Sequence, residues 1–185
     1  MAEARLEQLG SGIAPATEGW FVVNVCDATW LTNDVFGASC LFESPDAEFS
    51  ELGVRLTVLD PGQPNGLYHG EETQEAFLVL RGHCRLLVEG EERTLRAWDF
   101  FLCPPGTEHI LVGAGDEPCV VLMTGTRKPG RPIHYPVLEL ALRHRAGVAV
   151  ATSAPREAYA GYPDERIERP SSWASLPWAS GSGVG

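Results

Sequence analysis

Two short stretches gather the side chains that can do chemistry. The first runs Gly66-Leu-Tyr-His69-Gly-Glu71-Glu-Thr-Gln-Glu75 and continues as Ala-Phe-Leu-Val-Leu-Arg-Gly82. The second runs Trp98-Asp-Phe-Phe-Leu-Cys103-Pro-Pro-Gly106-Thr-Glu-His109. His69 and Glu71 are two residues apart, so on a strand they project from one face. Glu75 opens an apolar strand, where an unpaired carboxylate costs free energy once buried. His109 also opens an apolar strand, after a Pro-Pro-Gly turn that sets its approach. Two imidazoles and two carboxylates converging inside a β fold make a donor set for a divalent cation. Fe(II), Mn, Ni, Co and Zn are all compatible with such N/O ligation.

The elements that must position these groups read as strands. Trp20–Val25 and Phe36–Phe42 are apolar segments on either side of a turn-like Thr32-Asn33-Asp34. Leu52–Leu59 alternates, with Val54, Leu56 and Val58 on one face and Arg55 and Thr57 on the other. Pro and Gly between Asp60 and Gly66 break that pattern. Glu75–Leu80, Cys84–Val88, Arg93–Trp98, Phe100–Cys103, His109–Val112 and Cys119–Thr124 follow, separated by glycine-bearing turns. Short strands with no helices between them predict an antiparallel sandwich or barrel. Helical signal comes late: Pro136–Arg145 places Val137, Leu138, Ala141 and Leu142 on one side, and Gly147 suits its stop. A second short helix is predicted at Arg156–Ala160. The chain from Ser171 on is rich in Ser, Gly and Trp and is expected to be loosely ordered at its end, with Trp173 and Trp178 as anchors.

On these residues the chain resembles the cupins. The first segment follows the pattern Gly-x5-His-x-His-x3-4-Glu-x6-Gly through His69, Glu75 and Gly82. The second follows Gly-x5-Pro-x-Gly-x2-His-x3-Asn through Pro104, Gly106 and His109. Four positions depart from it. Glu71 stands where the second histidine is expected, Gln63 and Trp98 where the two leading glycines are expected, and Gly113 where the final asparagine is expected. The resemblance implies an all-β fold, the cupin double-stranded β-helix or jelly-roll barrel, over residues 19–126 with its motif core at 66–113. An N-terminal segment (1–18) precedes it and a C-terminal extension (127–185) with short helices follows. It implies metal ligation by His69, Glu75 and His109, with Glu71 as a fourth candidate.

Composition narrows the partners. A net charge of −11 over 185 residues repels phosphate backbones and anionic lipid surfaces, which excludes nucleic acid and membrane as expected partners. No apolar run approaches the roughly 20 residues of a membrane span, and the acidic N-terminus is unlike a secretory leader, so a cytoplasmic protein is expected. The five cysteines lack Cys-x-x-Cys spacing and read as small buried hydrophobes. Cys103 is the exception: it precedes the Pro-Pro-Gly turn and is placed near His109. His83, His134 and His144 read as solvated or capping residues. Tyr68, Gln74, Phe77, Arg81, Trp98 and Phe101 are candidates for a pocket wall, and Trp20, Trp30 and Trp98 are expected to pack on the barrel. Two functions fit: a metal-dependent enzyme (oxygenase, isomerase or lyase) acting on a small organic molecule, or a non-catalytic module binding a sugar or metabolite. A homodimer is expected, with Trp20–Val25 and Phe36–Phe42 at its contact. The reaction and its catalytic residues are not legible.

Overall fold

The computed structural model describes residues 2–179. Its strands in chain order are β1 (Leu6–Leu9), β2 (Gly12–Pro15), β3 (Thr29–Asn33), β4 (Gly37–Leu41), β5 (Leu52–Leu59), β6 (Gly70–Glu71), β7 (Glu75–Arg81), β8 (His83–Val88), β9 (Glu91–Arg96), β10 (Phe100–Cys103), β11 (His109–Ala114), β12 (Cys119–Thr126) and β13 (Ile133–His134). Two short helices follow, α1 (Glu139–Arg143) and α2 (Pro155–Ala158), then a 3-10 turn at Trp173–Ser175.

Two antiparallel sheets face each other. The larger has the order β10-β7-β12-β5-β4-β3, and the smaller the order β11-β8-β9. Between them Leu59, Phe77, Val79, Leu86, Leu111, Val121 and Met123 form one buried cluster. All six residues of β11 are buried, as expected of a strand covered on both faces. On β5 the polar face turns inward: Thr57 is 2% exposed and its hydroxyl donates to the sulfur of Met123. The apolar face, Leu56 and Val58, packs outward against Trp30, Ala38, Cys40, Val120 and Leu176.

The N-terminal half departs from the expected pattern. Trp20–Val25 is not a strand; Trp20 makes only a bridge to Glu3 and is 53% exposed. The chain turns at Asn24, whose Oδ1 accepts from the Cys26 amide and whose carbonyl accepts from the amides of Asp27 and Ala28, and the strand lies beyond it at Thr29–Asn33. β4 sits within the expected Phe36–Phe42, and it is paired on both sides, by β3 and β5. Among the described residues no helix is long and apolar enough to cross a membrane.

The first helix is shorter than its pattern. It buries Ala141 and half-buries Leu138 and Leu140, while Val137 and Leu142 are exposed. It stops at Arg145 (φ 56°) rather than Gly147. The amide of Ala146 donates to Ala141 O and that of Arg145 to Leu142 O, a Schellman closure that satisfies the terminal carbonyls. The described part of the tail is anchored: Leu176 is 4% exposed, and Trp173 and Trp178 pack on Trp30 at 5.6 and 5.4 Å. The expected loose end, residues 180–185, lies outside the described residues. Trp98 does not pack on the barrel; it is 75% exposed with φ 77°. That left-handed backbone is why the motif calls for glycine there.

Candidate metal centre

His69 and His109 are held by the same local device. Each ring turns its Nδ1 back to the carbonyl two residues earlier, His69 to Leu67 O at 2.7 Å and His109 to Thr107 O at 3.1 Å. A carbonyl only accepts, so Nδ1 carries the proton in both rings and the Nε2 lone pairs are left free. The backbone bridge between His69 and His109 places the two rings 5.1 Å apart. Glu75 enters from the facing sheet at the first position of β7. One donor atom each from His69, Glu75 and His109 lies within 4.8 Å of the other two.

The donors are mismatched without a cation. Glu75 Oε2 is buried with no hydrogen-bond partner, and His109 Nε2 stands 3.4 Å from it. Two lone-pair donors thus confront each other in a place largely shut off from water. Two ligands at about 2.1 Å from a shared tetrahedral ion stand about 3.4 Å apart, so the spacing fits. Burial sets the charges the same way. It lowers the His69 imidazole, and it lowers His109 to about 4 with help from neighbouring His69. It raises Glu75 to about 7, helped by the charge of Glu71.

Glu71 reaches the same space from β6. Its Oε1 lies 3.8 Å from His69 Nε2. Its Oε2 accepts from Arg131 Nε at 2.6 Å and from the Thr73 hydroxyl at 3.0 Å. The partner of Glu71 is therefore Arg131; Arg81, an expected wall residue, binds Glu117. Cys103 is near His109 as expected, but behind it: Sγ lies 3.3 Å from Nδ1, the nitrogen turned away from Glu75. Burial pushes the thiol up to about 12, which leaves it protonated. All five cysteines are buried and free. His83 is exposed, and His134 and His144 meet Glu108 and Glu92.

A cavity of about 990 Å³ opens from these residues. Of the expected wall, Phe77 lines it; Tyr68 is fully buried elsewhere, with its hydroxyl accepting from the Gly90 amide. Arg55, Arg131 and Tyr135 also line it. Only Arg55 carried a signal in sequence, its place on the polar face of an alternating strand. Arg131 and Tyr135 arrive from the segment after the barrel strands, and nothing local in sequence marks them.

Comparison with known proteins agrees with this fold. A family model described as the cupin domain matches residues 55–125. Residues 55–125 carry a cupin domain. The polyketide cyclase RemF from Streptomyces resistomycificus superposes with a TM-score of 0.54 at 13% identity, over 88% of this chain and 97% of that one. An RmlC-like cupin from Shewanella frigidimarina gives 0.50 at 19% identity, over 62% and 96%. A sugar phosphate isomerase of the cupin superfamily from Silicibacter pomeroyi gives 0.46 at 30% identity, over 48% of this chain and 58% of that one. This chain thus spans little more than half the length of that isomerase. No curated protein matches the chain. The fold is the all-β cupin barrel of two facing sheets, with short helices after it.

Proposed function

We propose that this cupin domain binds a divalent metal ion through His69 Nε2, His109 Nε2 and Glu75 and acts on a small organic molecule held in the adjoining cavity. The observation that carries the reading is the buried, partnerless Glu75 Oε2 facing a bare His109 Nε2. Glu71 joins the proposed set as a fourth donor, through the Oε1 that faces His69. When bound, the ion supplies Lewis-acid polarisation of a substrate oxygen. The chain's own residues do the rest. Leu67 and Thr107 carbonyls fix the rings, Arg131 and Thr73 fix Glu71, and Phe77, packed 5.2 Å from the His109 ring, walls the site off from water. Zn, Fe, Mn, Ni and Co all suit two imidazoles with carboxylates.

Metal analysis of protein purified without added metal, beside His69→Ala and His109→Ala, tests this. Wild type is expected to carry close to one ion and both variants almost none. Equally little metal in all three defeats the reading. Oxygen uptake on a metabolite panel then separates an oxygenase from a redox-neutral isomerase or lyase. A ligand retained without turnover gives the non-catalytic binding module instead. A cytoplasmic homodimer belongs to the same proposal; a monomeric mass by light scattering removes the dimer.

A further inference from the structure

The inner face of the large sheet explains why the cavity is open beside Glu75. Glu75 is in register with Gly125 on β12, and Gly125 with Gly53 on β5. On that side of Glu75 the next two positions across the sheet therefore lack side chains, while Cys103 of β10 stands on its other side; this bare floor lies inside the cavity. A Cβ on Gly125 would meet Glu75 Cγ at 3.3 Å, and one on Gly53 would meet Arg127 Nε at 3.6 Å. The next row inward is Arg55, Met123 and Phe77, so Arg55 stands on the β5 side of the floor, with its charge felt by Glu75.

The charges around this floor differ from those of the whole molecule. The chain carries a net −11, yet the cavity is lined by four cations, Arg55, Arg127, Lys128 and Arg131, against Glu48, Glu71 and Glu75. Arg127 is held by Glu43 and Arg131 by Glu71. Lys128 is exposed at the rim. Among the described residues Arg55 makes no ion pair, although it projects into the cavity from a strand face whose next residue, Thr57, is buried. A guanidinium fork without a carboxylate matches the paired oxygens of a carboxylate or phosphate.

We propose that the cavity binds a small organic oxyanion over the Gly53–Gly125 floor, with Arg55 as the specificity-determining residue for its charge. The proposal deepens the metal reading and rests on it only for the ligand's other end, which lies toward Glu75 and the histidines. A molecule of a few carbon atoms with one oxyanion terminus spans that floor.

Isothermal titration of the full chain with malonate and with inorganic phosphate tests the idea, in chelator-treated protein and in protein reloaded with Mn. At least one anion is expected to bind one-to-one in either form. Malonate alone assigns a carboxylate source, and phosphate alone a phosphoryl source. Arg55→Gln is expected to weaken binding by about tenfold or more, with metal content equal to wild type. Arg55→Lys should recover part of the loss, since it keeps the charge without the fork. Gly53→Val, which fills the floor from a strand position, should remove anion binding and leave the metal content alone. If that variant does not fold, the Arg55 pair, at a solvent-accessible side chain, carries the test. Neither anion binding at millimolar concentration, or Arg55→Gln binding like wild type, overturns the proposal. Wild-type protein that holds no metal but loses anion affinity in Arg55→Gln leaves this inference standing and removes the metal reading.

Discussion

The two ends of the space between the sheets are built from the same strands and behave as opposites. Following the register of β5, β12 and β7, the first row is Leu59 and Cys119, and the second Thr57, Val121 and Val79. The third is Arg55, Met123 and Phe77, and the last Gly53, Gly125 and Glu75. The first two rows are dry and closed: Leu59, Val79, Cys119 and Val121 are all 0% exposed. The last row is the floor of the candidate site. Each strand alone shows only a change of residue type every second position. Antiparallel register aligns three such gradients, so that one end becomes core and the other a cavity. Stability and chemistry are thereby separated by two or three rows.

That separation is open to attack from both ends. The largest effect is expected at the dry end: Leu59→Ala leaves a cavity and should cost about 2–5 kcal/mol in urea unfolding, while metal bound per folded molecule stays unchanged. His109→Ala should do the converse. Metal affinity should fall by more than about 100-fold, since even outer partners of ligands cost 10–100-fold, and the urea midpoint should move less than for Leu59→Ala. A Leu59 variant that loses metal in proportion to its stability would show that the two ends are not separable.

A pH series sharpens the metal end. The proton that competes with the ion sits on Glu75, whose carboxyl titrates at about 7, because His109 at about 4 and the lowered His69 are already deprotonated there. Metal affinity should therefore rise about tenfold per pH unit up to about pH 7, with release of one proton, and level off above it. A slope of two or three protons near neutrality would mean that the imidazoles also compete.

The smallest effect lies outside both ends, at the turn before β10. Trp98 holds φ 77° and is 75% exposed, so Trp98→Gly relieves a left-handed conformation and gives up little buried area. It should stabilise the fold by about 1 kcal/mol, read as a higher thermal midpoint with unchanged metal content.

Sequence alone determined the fold and pointed to three candidate donors that lie together in it. Pattern and spacing placed Leu52–Leu59 as a strand with the bounds observed, and the two motif segments brought His69, Glu75 and His109 to one point. Those signals are local: a strand's alternation and a turn's composition do not depend on what lies across the sheet. Sequence misplaced the N-terminal strand, because Asn24 turns the chain through its own side-chain and carbonyl bonds. It also lengthened the helix after the barrel, where burial of Ala141 in place of Val137 and Leu142 depended on which surface the helix met. Only the tertiary structure decided that the polar face of β5 turns inward, that Arg131 takes Glu71, and that two glycines lie in a row on one side of Glu75. Each of these follows from register and chain return between residues distant in sequence, such as Glu71 with Arg131 and Gly53 with Gly125, and periodicity along one strand holds no information about its neighbour.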